Sequence, residues 1–174
     1  LAQCDEETVA GRQEKAYLLN HFLEEFRLTV FRQTLFAEFE WLAHQHAEQG
    51  ESLTADWLCD SYNNLQKAYY GPEMVLDDYM KWEWARMPHF YNAFYVFKYA
   101  TGFSAAVALS RLILTEGNPA VERYLAFLGA GGSDYPLATL ARAGVDLSSR
   151  VPIDAAVTEF SASLDQLALL IDRR

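Results

Sequence analysis

From Arg12 to about Glu48 the chain runs without a proline or a glycine, and Leu18, Leu19, Phe22, Phe26, Val30, Phe31, Leu35, Phe39 and Leu42 recur mostly at three- and four-residue steps. That spacing stacks apolar side chains along one side of an α-helix and predicts one long helix with a broad, aromatic stripe. Gly50 stands where a left-handed residue would close its last turn. Thr54 can cap a second helix that runs through Leu58, Tyr62 and Leu65 until Gly71 and Pro72 stop it. The two are expected to pack as a hairpin.

The segment 73–87 carries Trp82 and Trp84 on alternate positions and is compatible with either an extended run or a short helix. Pro88 suits the first turn of a new helix, where its missing N–H costs nothing. The apolar pattern then continues through Phe94, Phe97, Phe103, Val107 and Leu112 to Glu116, with a kink expected at Thr101 and Gly102. Asn118 and Pro119 open a further helix, Ser133 or Asp134 caps a short one ending at Gly144, and Pro152 starts a terminal helix reaching Asp172. The expectation is an all-α chain of about six or seven helices packed as a single unit. Gly and Pro cluster in residues 129–152, which predicts a mobile loop tethering the last helix rather than holding it in the core.

With 174 residues the chain is long enough for one domain, and 51% hydrophobic against 22% charged residues excludes general disorder. A net charge of -10 opposes association with phosphate backbones or anionic lipid, so neither nucleic acid nor membrane is an expected partner. Cys4 and Cys59 show no paired disulfide spacing, which fits a reducing, cytoplasmic setting. The sequence starts at Leu1 without an initiator Met, so a processed, truncated or excised piece of a longer chain is one expectation.

The four histidines are His21, His44, His46 and His89, and none lies in the His-Glu-x-x-His spacing that sets two imidazoles around zinc on one helix face. Glu40 and His44 share a face, either as two ligands of a metal or as a pair that only supports its helix. The run GAGGSD at 129–134 lacks the preceding strand and the lysine of a phosphate loop and reads as a cap and turn. From Met87 to Ala106 the chain places His89 at a helix entry, with Tyr91, Tyr95 and Tyr99 at four-residue steps on one helix face. Phenols and an imidazole in a row can donate hydrogen bonds to an oxygen that turns negative in a transition state. The same spacing also describes an aromatic helix whose hydroxyls find partners at a core edge.

FRQTLFAEFE (31–40), WEWARMPHFYNAFYVFKYATGFSAA (82–106) and GGSDYPLATLARAGVDL (131–147) resemble, in order, the carboxy-terminal part of the oligoendopeptidase F family of thimet-oligopeptidase-like zinc peptidases. The resemblance implies a zincin-like helical peptidase with a deep channel, of which residues 1–174 form the carboxy-terminal helical part of the catalytic domain. It implies oligopeptide substrates cut internally by a zinc-bound water. The family's zinc ligands and base lie on a His-Glu-x-x-His helix and a following glutamate helix, both absent here, so no metal ligand is expected within this chain and the missing amino-terminal portion becomes its expected partner. The chain alone is expected to be inactive. Carried over residue by residue, His89, Tyr95 and Tyr99 are implied to act on the scissile carbonyl, while Tyr91, Gly132, Ser133 and Tyr135 are implied to contact substrate. Phe97 stands where relatives often carry tyrosine, which leaves open which phenol matters.

A second reading makes the chain a non-catalytic helical module that binds peptide or partner helices, motivated by the missing ligands and the 14% aromatic content. A metal-carboxylate four-helix bundle needs Glu-x-x-His pairs, and the sequence has none. Exposed apolar surface left by a missing half predicts self-association, which light scattering would detect.

Overall fold

A computed structural model describes Cys4 and residues 8–172. Its elements are helices α1 (Val9–Phe26), α2 (Arg32–Glu48), α3 (Ala55–Tyr70), α4 (Phe97–Glu116), α5 (Asn118–Ala130), α6 (Pro136–Arg142) and α7 (Val151–Asp172). Two 3-10 helices, Asp78–Arg86 and Pro88–Tyr91, precede α4, and a π-turn, Arg27–Phe31, joins α1 to α2. The all-α expectation holds. Among the described residues no helix is long and apolar enough to cross a membrane.

The long first helix forms as its periodicity predicts, but with one extra residue worked into it. Buried positions step from Leu19 to Leu23, Phe26 and Val30, then jump five to Leu35, the spacing of a widened π-turn. Carbonyls loosened there are taken by side chains: Thr34 Oγ1 donates to Val30 O at 2.7 Å and Gln33 Nε2 to Leu28 O at 3.4 Å. The Thr8 hydroxyl accepts from Gly11 N–H at 3.0 Å and caps α1.

The single packed unit read from the sequence divides here into two compact ones, residues 1–27 with 101–174 and residues 28–100. In the first, α1 packs on α7, with Phe26 edge-on to Phe103 at 5.5 Å and tilted against Phe160 at 4.8 Å. Ala156 and Ser163 on α7 are buried, so the terminal helix is held by α1, contrary to the expected loose tether. A second cluster joins Ala105, Leu109, Ala143 and Val145. Gly144 permits the turn between α6 and this cluster: its φ is +101°, and a Cβ would stand 3.0 Å from Leu112 Cδ1.

In the second unit α2 and α3 form the expected hairpin, and α3 also packs on the 3-10 helix 78–86. The Thr54 hydroxyl accepts from Trp57 N–H at 3.2 Å, and Gly71 ends α3 with φ 77°. Leu35, Phe36, Phe39, Tyr62, Leu65 and Val96 make the core, with Trp84, Met87, Phe90 and Tyr95 packed on it. Phe39 meets Tyr62 at 5.2 Å and Phe90 at 5.5 Å. Aromatic pairs in such offset and edge-on arrangements each contribute about 0.5–1.5 kcal/mol beyond the area they bury.

Candidate active site

The helix expected from Pro88 to Glu116 does not form as one piece. Pro88 opens a single 3-10 turn that ends at Tyr91, residues 92–96 are non-helical, and α4 begins at Phe97 and passes Thr101 and Gly102 within one unbroken element. A bond from α2 accompanies the break. The Glu40 carboxylate, 5% exposed, accepts the Phe94 N–H at 2.7 Å and so takes a donor that a continuing helix would use internally.

The break brings the predicted residues together in a way that a shared helix face would not. Along an unbroken helix His89 and Tyr99 would be separated by about 15 Å of rise. Instead the Tyr99 hydroxyl lies 3.5 Å from His89 Nε2 and donates to the Tyr95 hydroxyl at 3.2 Å. The His89 ring stacks on Tyr95 at 5.6 Å and meets Tyr99 edge-on at 5.9 Å. The hydrogen bond to Tyr95, with a smaller desolvation effect, pushes the Tyr99 phenol above its ordinary value. Lys98 Nζ sits 5.0 Å over the Tyr95 ring. Tyr91 is not part of this group; it is 91% exposed and stands at the rim of an apolar pocket of about 230 Å³ lined by Phe39, Glu40, His44, Trp84 and Phe90.

The other implied contacts, Gly132, Ser133 and Tyr135, belong to the first compact unit and are exposed there. Neither Ser133 nor Asp134 caps α6; the cap position is Tyr135, which makes no side-chain cap bond. Asp134 instead pairs with Arg142 at 2.7 Å and accepts the Tyr135 N–H at 2.7 Å. The Arg142 hydrogen bond first, and the backbone bond second, hold its carboxyl below the usual range.

Sequence reasoning missed the supports of the aromatic segment. Glu83 accepts from Tyr62 OH at 2.7 Å, from Arg86 at 3.1 Å and, at short range, from Arg32 on α2. Burial alone would raise the Glu83 carboxyl, but these donors outweigh it and hold it low. On the same helix Glu38 accepts from Tyr69 OH at 2.7 Å, and burial together with that bond pushes the Tyr69 phenol up. The signal was present as charged residues, Arg32, Glu38 and Glu40, inside an otherwise apolar stretch. Their partners, 31 to 54 residues away, are not readable from local pattern.

The described residues do not fit zinc. Among the described residues no three of His, Cys, Asp or Glu gather as a metal site would require. His44 lies tilted against Phe94 at 4.6 Å, and His46 stacks on Trp57 at 4.1 Å.

Residues 4–159 match the model of peptidase family M3. Oligopeptidase PepF of Bacillus subtilis is 53% identical over 91% of this chain and 24% of its own length, and the plasmid-borne oligoendopeptidase F of Lactococcus lactis subsp. cremoris is 43% identical over 92% and 27%. The crystal structure of oligoendopeptidase-F from Enterococcus faecium superposes with a TM-score of 0.91 at 49% identity, covering 94% of this chain and 31% of that one. The chain therefore spans about a quarter of the length of the curated relatives it matches. A family match running through nearly all of these helices leaves one assignment: the chain belongs to peptidase family M3.

Proposed function

We propose that residues 1–174 are the carboxy-terminal helical part of the catalytic domain of a zinc-dependent endopeptidase that hydrolyses oligopeptides in the cytoplasm, and that this part alone is inactive. The observation that supports the reading is the convergence of one imidazole and two phenols on an accessible surface, with Tyr99 in polar contact with both His89 and Tyr95. The relatives are named as oligopeptidases, and their greater length leaves ample chain to carry a metal site that these residues do not supply. Cys4 and Cys59, both free, fit a reducing compartment.

Chemically the group works as a donor relay. One assignment of protons has His89 Nε2–H donating to Tyr99, Tyr99 to Tyr95, and Tyr95 outward to the carbonyl oxygen of the peptide. Each bond polarises the next, so the outer hydroxyl becomes a stronger donor as negative charge grows on that oxygen. Contacts of 3.2 and 3.5 Å are longer than an ideal O–H bond, as apo sites often are before substrate tightens them.

In the full-length enzyme, Tyr95→Phe should lower kcat by about 10²- to 10³-fold, the cost of one oxyanion donor, and Tyr99→Phe, which removes the bond that polarises it, should lower kcat by a smaller factor. The assay is cleavage of a quenched-fluorescence oligopeptide. An unchanged kcat/KM in both variants refutes the donor role, and turnover by the isolated 174-residue chain refutes the reading that its metal lies elsewhere.

A further inference from the structure

Phe94 is the only residue other than glycine with positive φ among the described residues, at 55°. A bulky side chain keeps that left-handed conformation only where its surroundings enforce it. Two side chains from one face of α2 do so. Glu40, buried, accepts the Phe94 N–H at 2.7 Å, and His44, one turn on, lays its ring on the Phe94 ring at 4.6 Å with an interplanar angle of 32°. The carboxylate and imidazole that sequence spacing offered as metal ligands thus grip a backbone amide and a phenyl ring. Immediately after Phe94 come Tyr95, packed on the core, and Val96, fully buried within it.

We propose that Glu40 and His44 are positioning residues: by clamping Phe94 they hold the turn at 92–96 and so set Tyr95 and Tyr99 against His89. The inference rests on the donor role proposed above. If the clamp is released, Phe94 relaxes toward right-handed geometry, the two helical segments that flank it are free to join, and continuous winding carries Tyr99 away from His89.

The test uses the full-length enzyme, the quenched-fluorescence peptide and a thermal unfolding curve for each variant. Glu40→Ala should lower kcat by about 10- to 100-fold, the usual effect of misplacing a catalytic group by an ångström or so, with KM nearly unchanged. Glu40→Gln, whose amide oxygen can accept the same N–H, should restore most of the loss. Adding Phe94→Gly to Glu40→Ala should also recover activity, because glycine adopts positive φ without strain. A purely structural Glu40 would lower Tm and leave kcat of the folded enzyme as it was, and that result overturns the proposal, as does a Gln variant no better than Ala. Should Glu40→Ala fail to fold, His44→Ala carries the test: lower kcat at unchanged KM supports the clamp, and wild-type kcat overturns it. Tyr95→Phe is measured alongside. If it retains full activity the donor role itself falls; if it is impaired while Glu40→Ala and His44→Ala are not, only the clamp falls.

Discussion

Replacing Glu83 by alanine should be the most damaging single polar change in the unit formed by residues 28–100. The carboxylate, with its side chain 12% exposed, collects bonds from Tyr62, Arg32 and Arg86. Its removal strands the hydroxyl of Tyr62, a residue 1% exposed, at a cost of about 1–3 kcal/mol for an unsatisfied buried donor. It also strands the Arg32 guanidinium, 28% exposed, worth about 1.5–3 kcal/mol as a bond to a charged group. Arg86, 73% exposed, adds about 0–1 kcal/mol. The first two losses share one acceptor and are not strictly additive, which puts the total near 3–5 kcal/mol, as for other broken partly buried pairs. All four tryptophans of the 174-residue chain, Trp41, Trp57, Trp82 and Trp84, lie in this unit, so tryptophan fluorescence during urea unfolding of that chain reports on it directly. With a denaturant slope of about 2 kcal/mol per molar, the midpoint should fall by about 1.5–2.5 M. Arg86→Ala should shift it by less than about 0.5 M. A Glu83→Ala midpoint within that smaller range would refute the view that this carboxylate ties α2 to the segment leading into His89.

Tyr62 makes the same hub sensitive to alkali: burial first, and the Glu83 bond second, raise its phenol above the ordinary 10.0. Below pH 10 the group is neutral in both states and its stabilisation is complete. Above that value the unfolded chain ionises while the folded one does not, so stability falls by about 1.4 kcal/mol per pH unit until the folded phenol titrates. Tyr62→Phe should therefore flatten the fall in urea midpoint between about pH 10 and 11, and parallel curves for the two proteins would contradict the assignment. In the other unit, Gly144→Ala must adopt a φ of +101° and press a methyl group against Leu112. The strain of about 1–2 kcal/mol should lower the calorimetric Tm by roughly 3–8 °C, and an unchanged Tm would show that the turn relaxes freely.

What could be read from the sequence was whatever local chemistry decides. Thr54 caps α3 and Gly71 ends it because a hydroxyl and a left-handed glycine act within a turn of themselves. Pro119 and Pro152 sit at the starts of α5 and α7 for the same reason. The π-turn was partly legible, since the five-residue step from Val30 to Leu35 breaks the period, although the nearby Phe31 masks it. Asp134 was misread as a cap because nothing near it reveals Arg142, which draws its carboxylate away. The division into two units was not legible at all, because α1 and α2 carry one nearly continuous stripe while serving different cores.

The active-site segment shows why the right residues emerged with the wrong geometry. Four-residue spacing of Tyr91, Tyr95 and Tyr99 is sufficient for a shared face only if the helix is unbroken, and the break is accompanied by a bond from Glu40, 54 positions from the amide it captures. Two of the three phenols still end up adjacent, but for a different reason: Tyr95 is held by the core beside Val96, and Tyr99 follows in the first turn of α4. Tyr91, with no such anchor, points into solvent. His89 joins them because the 3-10 turn stops short of the helix that Pro88 would otherwise begin. On the proposed clamp the arrangement depends on a long-range bond overriding a strong local preference, and a sequence that favours the unbroken helix more strongly, as Ala in place of Asn92 would, should demand more of Glu40.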